Sequence, residues 1–217
     1  MKQVNPDTGV VTTVYLANGL PENVTDARGN TTSFVYDGRG LLARKYAPTG
    51  SNLYARTDYT YDKSGRLTRE ESNTAPVALG GALSNTAWTE FTYNLNGTLS
   101  GKTTSAGREE VYTYNADRFL TQTATKIDAS RSRITMAVYD FRGNVTESAT
   151  YEELCDLDWN SNSTSLVAQT TTYTYDLNGS FLSVTYPNTE TVTYAYDLLG
   201  RETLKTYYAL NAFGVRT

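Results

Sequence analysis

Short stretches that alternate aromatic or β-branched residues with polar ones recur along the chain, and each ends in a Tyr followed by Asp or Asn. In most copies a Gly stands four residues after that Tyr. Alternation with a period of two predicts β-strands whose two aromatic positions share one face. The repeated residues are Tyr36, Asp37 and Gly40; Tyr61, Asp62 and Gly65; Tyr93, Asn94 and Gly97; Tyr114 and Asn115; Tyr139, Asp140 and Gly143; Tyr175, Asp176 and Gly179; and Tyr196, Asp197 and Gly200.

The repeat has a basic length. A degenerate copy at Val14, Tyr15 and Gly19 opens the series, so the repeated Tyr falls at 15, 36, 61, 93, 114, 139, 175 and 196. Successive steps are therefore 21, 25, 32, 21, 25, 36 and 21 residues. A unit of about 21 residues with insertions, the larger two at about 72–87 and 152–166, accounts for every step. Residues 1–217 are predicted to form a single array of these units.

The residues after each repeated Tyr are those that tight turns require. Asp or Asn bonds nearby backbone amides, and Gly adopts the positive φ from which the next strand starts. A second strand follows, as at 66–70 and 144–148, and then a second turn, predicted at 26–29, 47–50, 105–107 and 186–188. Two strands and two turns fill the unit, so the predicted fold is all-β: an antiparallel β-meander of about eight units.

Two places depart from this pattern. Arg118 occupies the Gly position of its copy, which predicts a different turn geometry there, because a side chain disfavours positive φ. The insertion at 72–87 is rich in Ala, Leu and Gly. A loop and one short helical turn both remain open for that segment.

Composition excludes several classes of function. The chain has 217 residues with a net charge of −4, a mean hydropathy of −0.48, and 18 Tyr. No Lys/Arg cluster forms the stripe that nucleic-acid binding needs. No long apolar run predicts a membrane span, and the N-terminus lacks the pattern of a signal peptide. With no His and a single Cys, at 155, most catalytic chemistry is removed, so we predict a protein that is not an enzyme and has no cofactor.

The string Tyr-x-Tyr-Asp-x-x-Gly-Arg-Leu-Thr, which spans Tyr59 to Thr68, resembles the YD repeat of the Rhs family. Residues 194–201 and 24–30 come close to the same pattern, and the resemblance extends over about 10–208. The family includes bacterial Rhs and wall-associated polymorphic toxins, cocoon-forming components of insecticidal toxin complexes, and teneurins. The resemblance implies a curved or spiralling β-sheet that encloses a toxin or other cargo, and an extracellular or cell-surface location.

Departures from the full-length family pattern shape the functional prediction. No Arg-rich core-associated motif is recognisable and no toxin domain follows Thr217, so we expect a segment of a larger Rhs-type protein or a short relative. Its predicted partners are the remainder of such a protein or further copies of itself, with an encapsulated toxin or surface glycans as further partners. The leading prediction is a non-enzymatic structural segment of a toxin shell or extracellular assembly. A filament subunit that pairs through open sheet edges and a carbohydrate-binding adhesin remain alternatives.

Four groups of side chains are candidate sites. The Tyr rows either stack on sugars or form the packing ladder between units, and packing is favoured. The turn carboxylates either catalyse or cap their own turns, and capping is favoured. Cys155, with no His to activate it, is predicted to be inert. In the acidic insertion, Asp156, Asp158 and Asn160 are the residues that would hold Ca²⁺, against the favoured alternative of a solvated loop, because the required Gly and Glu of a calcium loop are missing.

Overall fold

The computed structural model describes residues 2–5, 9–50, 52–128, 131–153 and 169–209. The chain divides into two compact units, one of residues 1–93 and 102–107, the other of residues 94–101 and 108–217. The boundary runs through β10 (Leu99–Thr104). No helix occurs among the described residues.

The first unit is built on nine strands. They are β1 (Lys2–Asn5), β2 (Gly9–Tyr15), β3 (Pro21–Thr25), β4 (Thr31–Tyr36), β5 (Leu42–Gly50), β6 (Leu53–Tyr61), β7 (Leu67–Asn73), β8 (Val77–Ala78) and β9 (Thr86–Tyr93). From β1 to β7 each strand pairs antiparallel with the next, and β9 pairs with β7. The unit is therefore a meander.

The second unit contains eight complete strands after β10. They are β11 (Glu109–Tyr114), β12 (Leu120–Lys126), β13 (Ser132–Tyr139), β14 (Val145–Glu153), β15 (Gln169–Tyr175), β16 (Phe181–Thr185), β17 (Thr191–Tyr196) and β18 (Glu202–Tyr208). Every strand pairs antiparallel with its successor. The predicted all-β antiparallel meander is confirmed within each unit.

Of the two arrangements left open for the insertion at 72–87, the helical turn is absent and a loop fills residues 74–76 and 79–85. Between these loop segments Val77 and Ala78 form the short strand β8, which pairs with Leu53 and Tyr54 at the start of β6. β6 thus has two partners on the same side, β8 at its beginning and β7 further along. The insertion extends the sheet because β6 is longer than β7 can cover.

Each repeat contains a turn of one geometry directly after its repeated Tyr. In the copy at Asp37, the amide of Asp37 donates to the carbonyl of Leu41 at 2.8 Å, and the amide of Gly40 donates to the carbonyl of Asp37 at 3.0 Å. The strand register shifts by one residue at the Tyr, between Val35 and Tyr36. A turn followed by a residue with positive φ and a bulge matches the twist of the flanking strands.

Arg118 keeps this geometry, and the expectation of a different turn is wrong. Its φ is 68°, and its amide donates to the carbonyl of Asn115 at 3.0 Å. The amide of Asn115 donates to the carbonyl of Phe119, also at 3.0 Å. The paired strands on both sides fix the turn, so the local strain at Arg118 is accepted.

We expect Arg118→Gly to raise the free energy of unfolding by about 1 kcal/mol, because Gly removes the strain of a side chain at positive φ. Arg118→Ala is the control, since it removes the charge and keeps the strained φ. Chemical denaturation of the three proteins measures the difference. Equal stabilities of the Gly and Ala variants would contradict this explanation.

The second turns were predicted with one error. Those at 26–29, 105–107 and 186–188 lie where expected, with Thr189 at a φ of 69°. The turn predicted at 47–50 is wrong, because Ala47 and Pro48 still pair with Ala55 and Tyr54 in the ladder between β5 and β6. Pro48 at this position does not end the strand.

Few of the described side chains are fully buried. In the second unit Ala124 and Ile134 lie opposite each other on β12 and β13, and they pack against Val111 and Tyr151. Most other strand residues are half-buried. Stability in each unit therefore depends strongly on contacts between neighbouring strands.

Candidate functional site

The carboxylates of the repeat turns face their own backbone. Oδ1 of Asp37 accepts hydrogen bonds from the amides of Arg39 and Leu41, both at 2.9 Å. The carboxylates of Asp62, Asp140, Asp176 and Asp197 accept bonds from the amides two and four residues further on in the same way. These oxygens are occupied by the turns that they close.

Hydrogen bonding also changes the acidity of these groups. The pKa of each of six turn carboxylates lies below the ordinary value of 3.8, and the largest cause in every case is a hydrogen bond from the residue four positions on. That bond favours the ionised form. The six residues are Asp26, Asp37, Asp62, Asp140, Asp176 and Asp197.

Acid is expected to destabilise the fold through these turns. A carboxyl group whose pKa is lower in the folded state contributes stability above its unfolded pKa, and this is lost as the pH falls through the folded value. We therefore expect Tm to fall as the pH drops below about 4. In a variant with Asp62→Asn and Asp197→Asn, which keeps the acceptor oxygens without titrating, the fall should be shallower. A Tm that does not change between pH 5 and pH 2 would contradict this prediction.

The repeated Tyr hydroxyls connect successive repeats. Tyr61 donates to the carbonyl of Leu42 at 2.9 Å, and Leu42 is the strand partner of Tyr36, the corresponding Tyr of the preceding repeat. Five further bonds follow this rule: Tyr36 to Pro21, Tyr93 to Leu67, Tyr139 to Leu120, Tyr175 to Val145, and Tyr196 to Phe181, at 2.7–2.9 Å. We call these six bonds the tyrosine ladder. Each one bonds a carbonyl in the second strand of the repeat before it.

Beyond the strand pattern, the sequence contains a second signal that points to the tyrosine ladder. The first aromatic position of the repeats varies between Phe, Tyr and Ala, as at Phe34, Tyr59 and Ala137, whereas the second is Tyr in every copy. Packing alone accepts Phe at such a position. An invariant hydroxyl within one chain indicates a hydrogen bond, but its backbone acceptor could be identified only from the structure.

Aromatic rings also pack within the second unit. Phe119 stacks on Tyr139 with ring centroids 5.1 Å apart, and Phe181 lies 5.1–6.1 Å from the rings of Tyr173, Tyr175 and Tyr194. Such pairs contribute about 0.5–1.5 kcal/mol beyond the area they bury. These rings contact one another, which is what the packing interpretation of the Tyr rows requires.

The first unit contains a charged cluster that the sequence analysis missed. The carboxylate of Asp58 accepts two hydrogen bonds from Arg44, at 3.0 and 3.1 Å, and two from Arg56, at 2.7 and 2.6 Å. Arg56 is only 8% exposed and also donates to the carbonyl of Gly81. Burial favours a higher pKa for Asp58, but the bonds from Arg56 and Arg44 outweigh it and lower the pKa below its ordinary value. Asp58 thus joins β5 to β6, and Arg56 joins β6 to the insertion after β7.

An open cleft of about 310 Å³ lies at the end of the second unit. Tyr186, Tyr207 and Tyr208 line it together with Glu190 and Val192. Tyr207 is 67% exposed, and its strand partner Val192 is buried. Aromatic faces beside a carboxylate are a surface on which a sugar ring can stack and form hydrogen bonds.

The remaining candidates from the sequence are the calcium ligands of the acidic insertion and the single Cys. Asp156, Asp158, Asn160 and Cys155 lie outside the described residues. Within the described ranges, no group of three or more His, Cys, Asp or Glu side chains is placed to hold a metal ion. No helix in that part of the chain is long and apolar enough to cross a membrane.

Comparison with protein families gives one match. Residues 15–52 match the family model of the RHS repeat. This segment contains β3, β4 and the turn at Asp37, so the family motif coincides with one complete copy of the repeat geometry. The resemblance to the Rhs or YD-repeat family is confirmed there.

Several solved structures are similar to the chain at low sequence identity. They include a TcdB2-TccC3-Cdc42 structure (15% identity, TM-score 0.41) and the Photorhabdus luminescens Tc holotoxin pore (15%, 0.39), of which this chain covers 13% and 15%. A porin-like protein from Bacteroides uniformis also overlaps (17%, 0.31), with 92% of its chain covered. Between 93% and 95% of this chain is included in these overlaps. The comparison with curated protein sequences gave no match.

Proposed function

We propose, on the premise that residues 15–52 are an RHS repeat, that the chain is a non-enzymatic structural segment of a larger Rhs-type assembly. In this role the successive repeats form a continuous β wall around cargo or within an extracellular structure. The tyrosine ladder is the observation that carries the proposal. Its hydroxyls and the Asp or Asn side chains of the turns are the polar groups that recur from repeat to repeat, and both bond the protein's own backbone.

The structural role predicts a specific cost for removing ladder hydroxyls. Each of Tyr61→Phe and Tyr175→Phe is expected to lower the free energy of unfolding by about 1 kcal/mol, because a half-buried carbonyl loses its donor while the ring is retained. Tyr15→Phe is the matched control, because β1 covers only the part of β2 up to Thr12 and Tyr15 is 46% exposed. Urea denaturation of the three variants measures the effect. A loss at Tyr15 equal to that at Tyr61 would contradict the ladder.

A carbohydrate-binding surface is the second candidate function, and the cleft beside Tyr186 and Tyr207 favours it. A glycan array with the wild-type chain distinguishes the two functions. The structural role predicts no saturable binding. The adhesin predicts binding that Tyr207→Ala abolishes without a change in Tm, because Tyr207 is exposed at the cleft.

Pairing through open strand edges is the third candidate. β18 is the last described strand of the second unit, and Lys205 lies on it with its ammonium 5.3 Å from the ring of Tyr194 and 5.2 Å from that of Tyr207. Lys on an edge strand opposes the addition of another strand. Light scattering of Lys205→Thr across a concentration series tests this: edge pairing predicts larger assemblies in the variant than in the wild type.

A further inference from the structure

Turns along one rim of the second unit carry large apolar side chains in full contact with solvent. Four of them stand directly after the Asp or Asn of a repeat turn, and the last turn carries a fifth at the next position. The exposed fractions are 109% for Leu95, 91% for Phe141, 87% for Leu177, 106% for Leu198 and 78% for Leu199. We call these five residues the apolar rim.

The turn geometry does not require apolar residues there. The corresponding positions in the first unit are Ala17, Gly38 and Lys63, and their turns have the same backbone hydrogen bonds. The Asp or Asn side chain closes the turn, and the residue after it is exposed. Apart from the guanidinium of Arg142, which lies 5.2 Å from the ring of Phe141, nothing in these turns calls for an apolar side chain.

The rim is long and regularly spaced. Neighbouring strands lie about 4.8 Å apart, so turns at the same end of alternate strands recur at about 10 Å. Five turns then extend over roughly 40 Å. Their outward residues are, in order, Leu95, Ala116, Phe141, Leu177 and Leu198, with Leu199 beside the last.

The exposed apolar area is a substantial part of an interface. At roughly 100 Å² for each large apolar side chain, as the free energy of burying one implies, the five residues present about 500 Å², against about 800 Å² per partner in a standard stable interface. A row of this size exceeds the scattered apolar residues of an ordinary surface. Burial of the rim against a partner would remove a large unfavourable contact with water.

The order of side chains along the rim fits a second copy of the same rim. When the row is reversed about its middle, Phe141 faces its own symmetry mate, Leu95 faces Leu198 of the other copy, and the small Ala116 faces Leu177. Large residues thus meet small ones beside the centre, and the same patch serves both partners, as a two-fold interface demands. The carboxylates of Asp140 and Asp176 accept hydrogen bonds from the amides of their own turns, so these oxygens face the turn backbone.

We propose that the apolar rim is a homodimer interface, in which two chains meet rim to rim about a two-fold axis close to Phe141. A dimer of this kind does not use the strand edges, so it is independent of the structural role and of edge pairing. Sequence patterns do not reveal it, since any residue is compatible with that turn position.

Sedimentation velocity over a concentration series tests the association. The wild-type chain is expected to form dimers, and the combined variant Leu95→Ser, Phe141→Ser, Leu177→Ser and Leu198→Ser to weaken dimerisation by roughly 100-fold or more, because it removes the centre and both ends of the interface. Tm of this variant should stay within a few degrees of the wild type, since the turns accept polar residues. Lys63→Ser, at the same position of a turn in the first unit, is the matched control and should leave dimerisation unchanged.

Disulfide trapping tests the two-fold register in a Cys155→Ser background. Phe141→Cys should cross-link with itself under mild oxidation, and Lys63→Cys should not. A mixture of Leu95→Cys and Leu198→Cys chains should give the mixed dimer in preference to either self-dimer, because the reversed rows place these positions opposite each other.

Three results would overturn the proposal. One is a wild-type monomer at every concentration, and another is a dimer that the rim variant leaves intact. The third is binding to vesicles of zwitterionic lipid that the rim variant abolishes while the chain stays monomeric, which would assign the rim to a lipid surface instead.

Discussion

Gly143→Ala is expected to lower the free energy of unfolding by about 2–4 kcal/mol. Two effects add at this position. Its φ is 88°, where a side chain is strained, and a Cβ would lie 2.7 Å from Cζ of Phe119. The Phe119 ring cannot give way freely, because it stacks on Tyr139, whose hydroxyl belongs to the tyrosine ladder.

Gly200→Ala separates the two effects. Gly200 occupies the same position in the turn between β17 and β18, with a φ of 76°, and a Cβ there meets nothing within 4 Å. We expect a loss of about 1–2 kcal/mol from strain alone. Chemical denaturation of both variants measures the difference. Equal losses at Gly143 and Gly200 would show that packing of Phe119 against the turn contributes nothing.

Asp58→Ala is expected to cost about 3 kcal/mol, because it leaves the guanidinium of Arg56 nearly buried without its counterion. Arg44 also loses its carboxylate partner. The matched control in the same unit is Glu90→Ala. Arg69, its partner, keeps the carboxylate of Glu71, and both members of the Arg69–Glu90 pair are partly exposed to solvent, so we expect a loss of at most about 1 kcal/mol.

A second substitution identifies the cause of the loss at Asp58. Adding Arg56→Met to Asp58→Ala removes the unpaired charge and keeps an apolar stem, so the double variant should recover part of the stability. A double variant less stable than Asp58→Ala alone would mean that Arg56 stabilises the unit by packing or through Gly81, and the buried-charge explanation would then be wrong.

The sequence predicts the fold well because the residues that determine the strands and the turn of a repeat lie within that repeat. The alternation before Tyr61, the acceptor side chain of Asp62 and the permissive Gly65 act within one hairpin, and their spacing is enough to predict two strands and a turn. Arg118 shows the limit of local reasoning. Its intrinsic preference disfavours the turn, but the paired strands on either side determine the backbone.

Long-range register explains what the sequence could not provide. The acceptor of the Tyr61 hydroxyl is the backbone carbonyl of Leu42, 19 positions away, and a carbonyl has no sequence signature. Arg44 meets Asp58 because the register between β5 and β6 makes them direct strand partners. The contact of Arg56 with Asp58 is closer to a local feature, since residues two apart on a strand share a face.

We hold that the chain is an array of modules of about 21 residues, in which the tyrosine ladder bonds successive modules within each unit. The most direct measurement is thermal unfolding, by circular dichroism, of a deletion of residues 177–197, which joins Asp176 to Leu198 and removes one complete repeat. We expect a cooperative β protein with a Tm within several degrees of the wild type. Deletion of residues 177–187, which removes β16 alone and reverses the direction of β17 and β18, should unfold the second unit. Loss of cooperative folding in the deletion of residues 177–197, or equal tolerance of both deletions, would contradict the claim.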